Sequence, residues 1–160
     1  MLNKVAIAEL DTEDSWREAF PILRELRPTL PLDSFLKNRS LLVENNYRLF
    51  GLRDEGCLYT VASVVVSPHV LRIKDFWIHD FVTLEGSKSR GYGSKMIQYL
   101  RNLAKNEGFD RICLYTQAGN KRAQSFYENK VSLDNYGIVY IRNTASVSYT
   151  HLTLPTSDLV

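Results

Sequence analysis

A segment rich in glycine and cations, EGSKSRGYGSKM at residues 85–96, has the composition of a ligand-binding loop. It follows the apolar run FWIHDFVTL and precedes the helical run MIQYLRNLAK, so we expect a strand, a turn and a helix. The first turn of a helix has backbone N–H groups without internal partners, and glycine lets an anion approach them. Lys88 and Arg90 add positive charge beside these groups. The segment therefore predicts a phosphate or pyrophosphate site.

Three phosphate-binding motifs are candidates for this segment. Two of its glycines have the GxxxxG spacing of a P-loop, but Tyr92 and Gly93 stand where Lys and Ser or Thr are required. The dinucleotide-binding fingerprint requires a third glycine where Met96 lies. The third motif, Arg/Gln-x-x-Gly-x-Gly/Ala between a strand and a helix, matches KSRGYG with Lys88 at its first position.

The elements that position this segment follow from the hydrophobic periodicity. NKVAIAEL alternates as a strand does, and Asp11 or Thr12 is expected to cap a helix that Pro28 and Pro31 end. A second helix is expected over about residues 32–45. YRLFGL and CLYTVASVVV, which are separated by RDEG, predict a β-hairpin.

The second half of the chain continues with strands and helices. KDFWIHDFVTL predicts a strand, and the helix after the glycine segment is expected to end at Gly108. RICLYT predicts a short buried strand. NKRAQSFYEN predicts a short helix, and YGIVYIR predicts a closing strand. The order β, α, α, β, β, β, α, β, α, then one or two strands, predicts a mixed α/β sheet of six to seven strands with helices on its faces.

The composition indicates one ordinary globular domain. The chain has 160 residues, and its 20 basic and 18 acidic residues give a net charge of +2, which disfavours a nucleic acid partner. We find no secretory signal and no run of about 20 apolar residues, so we expect a cytoplasmic protein with no membrane contact. Cys57 and Cys113 lack metal-site spacing and are expected to be buried thiols, and no metal site is predicted.

The stretch SVSYTHLTLPT near the C-terminus has no Lys or Arg and no amphipathic face. It matches a reading-frame translation of the transposase adapter that is used to prepare sequencing libraries. We therefore expect a single domain at residues 1–145 and a non-native tail at 146–160, the alternative being a native polar extension.

A second motif, NKRAQSFY at residues 120–127, matches the pattern Asn-x-x-Ala-x-x-Phe-Tyr. Both motifs stand between a predicted strand and a predicted helix. From about Lys4 to Arg142 the chain thereby resembles the GCN5-related N-acetyltransferase (GNAT) family. The resemblance implies acetyl-CoA as the acyl donor. It also implies a mostly antiparallel α+β sheet with helices on both faces, splayed between the fourth and fifth strands.

The same resemblance assigns roles to individual residues. The amides of residues 89–94 would hold the pyrophosphate, main-chain groups of Val82 and Thr83 would bond the pantetheine arm, and Asn120 would contact a pantetheine amide. Tyr127 occupies the position whose hydroxyl stabilises or protonates the departing thiolate. The residues expected to bind the cofactor are Val82, Thr83, Lys88, Ser89, Arg90, Gly91, Tyr92, Gly93, Ser94, Asn120, Ala123 and Phe126.

Acetyl transfer requires a base, or a chain of waters, that takes a proton from the amine. Strict alternation places Asp80 on the face of Ile78 and Val82, and places His79 on the opposite face. A carboxylate on an apolar face has a raised pKa that suits a base, but a bulge would exchange the two faces. Asp80 and His79 are the first candidates for the base, and Glu85 or water is the alternative. Asp80 also has a structural alternative, as an acceptor of hydrogen bonds from a neighbouring loop.

The sequence therefore predicts an N-acetyltransferase in which the amine of a small molecule or a protein attacks acetyl-CoA directly within a ternary complex. Two departures from the family pattern leave a second hypothesis, a non-catalytic acyl-CoA-binding or regulatory module. Lys88 lacks the planar fork of Arg, and KVSL follows FYEN where the family has a Gly-Phe pair. A third hypothesis is an unrelated nucleotide-phosphate binder. Because family members commonly pair through their last strands, a homodimer is a further expectation.

Overall fold

The computed structural model describes residues 5–67 and 74–137. Its elements are, in chain order, β1 Ala6–Glu9, α1 Glu13–Leu26, α2 Leu32–Lys37, α3 Arg39–Glu44, β2 Tyr47–Asp54, β3 Cys57–Ser67, β4 Asp75–Thr83, a 3-10 turn Glu85–Ser87, α4 Tyr92–Asn106, β5 Arg111–Leu114, α5 Lys121–Ser125 and a π-helical turn Phe126–Lys130. The predicted non-native tail at 146–160 lies outside the described residues.

The strands form one mixed sheet in the order β1-β2-β3-β4-β5. All neighbouring pairs are antiparallel except β4 and β5, which run parallel. The predicted mixed, mostly antiparallel sheet is therefore confirmed, with five strands in the part of the chain that the structure describes. The predicted closing strand YGIVYIR falls mostly on residues 138–142, outside that part.

Two hydrophobic clusters lie on the two faces of the sheet. Successive residues of β2 point to opposite faces, since Phe50 packs in the cluster with α4 and Leu49 packs in the cluster with α1. The α4 cluster includes the fully buried Met96 and Leu100, and the α1 cluster includes the fully buried Trp16. Helices therefore cover both faces of the sheet, and each face carries its own core.

Local sequence signals correspond to the observed ends of several elements. Thr12 caps α1 with a capping box in which Ser15 is the partner. Glu55 and Gly56 form the two-residue hairpin turn with φ of 49° and 84°, as a type I′ turn requires. After α4, Gly108 has φ of 77°, and Phe109 N–H donates to the carbonyl of Ala104, as in a Schellman motif.

Two predictions about the first half of the chain are wrong. The expected single helix over about residues 32–45 is two short helices, because Asn38 at the end of α2 also begins α3 with ψ of −5°. Asn competes with the helical backbone for hydrogen bonds, which favours such a break. Cys57 is exposed because it begins β3 directly after the hairpin turn, whereas Cys113 is half-buried. None of the helices in the described ranges is long and apolar enough to cross a membrane.

Candidate active site

A β-bulge in β4 determines which way the candidate bases face. Ser63 pairs with Asp80, and the next residue of β3, Val64, pairs with Ile78, so His79 is the extra residue. Ile78 consequently packs in the α4 cluster, while Val82 packs in the α1 cluster. The expectation from strict alternation, that Asp80 shares the face of Ile78, is therefore wrong.

Asp80 lies on the α1 side of the sheet with its carboxylate held by several donors. Arg27 Nε donates to Asp80 Oδ1 at 3.0 Å, and Arg27 Nη2 is 2.9 Å from the same oxygen. Ser63 Oγ donates to Oδ2 at 2.7 Å and accepts the Asp80 N–H at 2.9 Å. Tyr47 Oη lies 3.5 Å from Oδ2. The Asp80 side chain is 14% exposed, so this carboxylate is nearly enclosed by polar partners.

The ends of two elements bring Arg27 and Asp80 together. Arg27 is the C-cap of α1, and Pro28 prevents the helix from continuing. The hydrogen bond to Asp80 is the main cause that raises the pKa of the Arg27 guanidinium. Burial, followed by the charge of Asp80, raises the pKa of the Tyr47 hydroxyl, which therefore stays protonated. No local sequence pattern identifies Arg27 or Tyr47 as partners of Asp80, because they lie 53 and 33 residues away from it.

The other two candidate bases have different surroundings. His79, the bulged residue, is exposed. Glu85 accepts a hydrogen bond from Lys88 Nζ, and this bond lowers the pKa of its carboxyl group. The Glu85 N–H donates to the Glu25 carboxylate at 3.1 Å. Glu85 is therefore held as an anion within the loop.

The glycine loop has several unpaired N–H groups at the start of α4. Lys88 N–H donates to the Glu85 carbonyl at 3.2 Å, and Arg90 N–H donates to the Ser87 carbonyl at 3.4 Å. Five further N–H groups have no acceptor among the described residues, and they belong to Ser89, Gly91, Tyr92, Gly93 and Ser94. Because α4 is 15 residues long, its dipole adds partial positive charge at this end. Such donors at the start of a helix are suited to bind an anion.

The three glycines of the segment differ in their physical roles. Gly91 is the N-cap of α4 with φ of 79°, a left-handed conformation that suits glycine. Gly93 allows close packing, because a Cβ placed there would lie 3.1 Å from Phe126 Cζ. Gly86 is not among the glycines with positive φ, and a Cβ placed there would meet no atom within 4 Å. The contact between Gly93 and Phe126 brings the two sequence motifs together in space.

Side chains of the glycine loop make contacts within the protein. Tyr92 is buried, and its hydroxyl donates to Asp54 Oδ2 at 2.6 Å. This hydrogen bond is the largest contribution to the pKa of Tyr92, which is raised to about 12. Arg90 lies over the rings of Tyr92 and Tyr59, with its Cζ 5.0 and 5.5 Å from the ring centroids. Arg90 Nη2 is 4.0 Å from the Asp54 carboxylate. Asp54, which sequence reasoning missed, thus connects the β2–β3 hairpin to the loop.

Tyr127 lies in an aromatic group beside the loop. Its ring packs edge-on against Phe126 at 5.4 Å and against Phe81 of β4 at 6.3 Å between centroids. Phe126 in turn stacks on Phe81 at 6.1 Å. Burial raises the pKa of the Tyr127 hydroxyl to about 12, so it is protonated at neutral pH.

The remaining candidate residues lie around the end of β4 and the start of α5. Asn120 is the N-cap of α5, and its Oδ1 accepts the Ala123 N–H at 3.0 Å, so its side-chain NH2 is left for other partners. Val82 and Thr83 pair with β3 on one edge. Pairing of β4 with β5 ends at Ile78 and Leu114, so the other edge of β4 beyond Ile78 has no strand partner among the described residues.

A cleft of about 390 Å³ opens beside Asp80, a volume within the range of small-molecule sites. Its lining comes from α1, the α1–α2 connection, α2, α3, β2 and β4. The residues are Leu23, Arg27, Thr29, Leu30, Pro31, Phe35, Leu42, Tyr47 and Asp80. No group of three or more potential metal-ligating side chains occurs in the described ranges.

Comparison with known proteins identifies relatives of the chain. The sequence model of the acetyltransferase (GNAT) family matches residues 10–131. A Bacillus subtilis (strain 168) protein, "Uncharacterized N-acetyltransferase YhdJ", is 26% identical over 128 residues, which cover 79% of this chain and 90% of that protein.

Solved structures have the same fold. The aminoglycoside N-acetyltransferase AAC(6')-Iy in complex with CoA has a TM-score of 0.77 at 13% identity, covering 91% of this chain and 98% of that chain. Glucosamine-6-phosphate N-acetyltransferase from Arabidopsis thaliana has a TM-score of 0.71 at 20% identity, covering 89% and 99%. The family match spans more than half of the chain and both sequence motifs. The resemblance predicted from those motifs is therefore confirmed, and the chain belongs to the acetyltransferase (GNAT) family as an N-acetyltransferase.

Proposed function

We propose that this protein transfers the acetyl group of acetyl-CoA to a primary amine, which attacks the thioester directly within a ternary complex. Acetyl-CoA supplies the acetyl group in activated form. The observation that supports the proposal is the set of N–H groups from Gly91 to Ser94 at the start of α4, which have no acceptor within residues 5–67 and 74–137. They suit a pyrophosphate because they lie at one helix end, where the dipole of α4 adds partial positive charge.

The pantetheine arm would lie along the unpaired edge of β4. Main-chain groups of Val82 and Thr83 on that edge would bond the arm as a neighbouring strand would. This placement requires β4 and β5 to splay beyond Ile78, where their pairing ends. The NH2 of Asn120, which has no partner in the described part of the chain, would donate to a pantetheine carbonyl, because its Oδ1 is already engaged in capping α5.

Tyr127 is proposed to protonate the departing thiolate. Its pKa of about 12 keeps the proton on the hydroxyl at neutral pH, and its ring is held by Phe81 and Phe126. A general acid of this kind contributes about 10²–10⁴-fold to the rate.

The proton acceptor is proposed to be Asp80 or the adjacent His79. Asp80 borders the cleft, but Arg27 and Ser63 already occupy both of its carboxylate oxygens. His79 is exposed in the bulge. Replacement of the residue that acts as the base, by Asp80→Asn or by His79→Gln, should lower kcat about 10²–10⁴-fold with the acetyl-CoA affinity unchanged. Equal small losses in both variants would favour water as the proton acceptor.

The acceptor is not specified by the fold, since one fold neighbour is an aminoglycoside acetyltransferase and another is a glucosamine-6-phosphate acetyltransferase. The cleft beside Asp80 is the proposed acceptor site, because Asp80 lies two residues beyond the last β4–β5 pair. A cytoplasmic location, a homodimer, a domain at residues 1–145 and the absence of a nucleic acid partner remain predictions from the sequence.

Isothermal titration calorimetry with acetyl-CoA and a thiol-release assay with a broad panel of amines test the proposal. We expect binding, turnover of at least one amine, and intersecting initial-velocity lines, as a ternary complex requires. Parallel lines would indicate a covalent acetyl-enzyme instead. Binding without turnover would favour the non-catalytic module, and tighter binding of ATP or NAD than of coenzyme A would favour a nucleotide-phosphate binder.

A further inference from the structure

Building on the proposed acetyl transfer, we infer that the acceptor is a primary amine with one amino group on an aromatic or branched aliphatic body. Polycationic amines such as aminoglycosides would be poor acceptors. The inference depends on the proposed function, because it identifies the substrate class of the same cleft.

The walls of the cleft beside Asp80 are mostly apolar. Leu23 and Phe35 belong to the buried α1 cluster, and Leu30, Leu42 and Tyr47 pack against it. A body with aromatic or aliphatic carbons would bury its surface against these side chains, which is the main source of affinity in such sites. A hydroxylated sugar would instead lose hydrogen bonds to water without replacement.

The charges in the cleft fit one amino group. Asp80 supplies the single carboxylate among the described residues that line it, and Arg27 supplies the single cation. The two groups lie 2.9 Å apart, so the ion pair has little net negative charge to offer. One amino group, in the neutral form that attack on the thioester requires, can donate a hydrogen bond to the exposed part of the Asp80 carboxylate, whose side chain is 14% exposed. Each additional ammonium group would have no anion beside it and would be repelled by Arg27.

Asp80 lies on β4 two residues beyond the last β4–β5 pair, in the stretch whose free edge is proposed to bind pantetheine. Its neighbour Phe81 packs against the α4 cluster, on the opposite face of the sheet from Asp80, and contacts the ring of Tyr127, the proposed acid. The apolar walls lie on the α1 side of Asp80, away from the sheet edge proposed for pantetheine. An amine bound by Asp80 would therefore direct its body into the cleft and its nitrogen toward β4.

A comparison of two amines with the intact protein tests the inference. Thiol release is measured with 2-phenylethylamine and with kanamycin at saturating acetyl-CoA. We expect kcat/KM for 2-phenylethylamine to exceed that for kanamycin by at least about tenfold. Equal or higher kcat/KM for kanamycin would overturn the inference and leave the proposed acetyl transfer intact. Failure of the whole amine panel would contradict the proposed function itself.

Two adjacent leucines of α3 provide a matched pair of variants. Leu42 lines the cleft, whereas Leu41 is 60% exposed and does not line it. We expect Leu42→Ala to raise KM for 2-phenylethylamine about tenfold with kcat little changed, because the contact is the same in ground and transition states. Leu41→Ala should leave KM unchanged. Unchanged acetyl-CoA affinity by calorimetry verifies that both variants are folded, and equal KM values in the two would overturn the inference.

Discussion

Replacement of Gly91 by alanine changes the backbone at the start of α4 without a steric clash. Gly91 has φ of 79°, and a Cβ there would meet no atom within 4 Å. The cost is therefore that of a left-handed conformation for alanine, about 1–2 kcal/mol. For a chain of this size, each kcal/mol lowers the melting temperature by about 2–4 °C. Gly91→Ala should therefore lower the melting temperature by about 2–8 °C.

Gly108→Ala is the matched control for this change. Gly108 follows the other end of α4, has φ of 77° and likewise has no atom within 4 Å of a Cβ. We expect the same loss of stability in both variants. In Gly91→Ala alone, relief of the strain moves the N–H groups that face the proposed pyrophosphate. Loss of one hydrogen bond to a charged group costs about 1.5–3 kcal/mol, which raises the Kd for coenzyme A roughly 10- to 150-fold.

Thermal denaturation followed by circular dichroism gives the stability of both variants, and calorimetry gives their affinity for coenzyme A. The reasoning is refuted if Gly91→Ala loses stability as Gly108→Ala does but binds coenzyme A as tightly as the unmodified protein.

Three further predictions concern the tyrosines of the site. Tyr127→Phe should lower kcat about 10²–10⁴-fold with the Kd for acetyl-CoA unchanged, whereas an equal loss of affinity would indicate a binding role. Because the pKa of Tyr127 is about 12 in the folded protein against an ordinary value of 10.0, its contribution to stability is complete below pH 10 and is lost as the pH rises through 12. Ionisation of Tyr127 should lower the free energy of unfolding by about 1 kcal/mol by pH 11. In urea denaturation, the free energy of unfolding of Tyr127→Phe should therefore depend less on pH in this range. Tyr92→Phe should lower the melting temperature by removing the hydrogen bond to Asp54, yet leave the Kd for coenzyme A within about twofold, because its proposed role uses the backbone N–H. A larger loss of affinity would assign the binding role to the Tyr92 hydroxyl.

Features that depend on a few adjacent residues could be read from the sequence. The turn after α4 follows from Gly108, and the cap of α1 follows from Thr12, because both depend on local hydrogen bonds. The strand–loop–helix order around Gly91 was likewise readable, since hydrophobic periodicity changes at that point.

Features that depend on distant partners could not be read in this way. The bulge at His79 arises from the register between β3 and β4, so the alternation of β4 alone gave the wrong face for Asp80. Arg27 and Asp80 meet only when α1 packs on the sheet, and no local pattern identifies such a pair. The same holds for Tyr92 and Asp54, which are 38 residues apart.

A crystal structure of the protein with acetyl-CoA would test most directly whether the start of α4 holds the pyrophosphate. We expect pyrophosphate oxygens within about 3 Å of backbone nitrogens from Gly91 to Ser94. A pyrophosphate bound elsewhere, with those N–H groups still unpaired, would contradict the account.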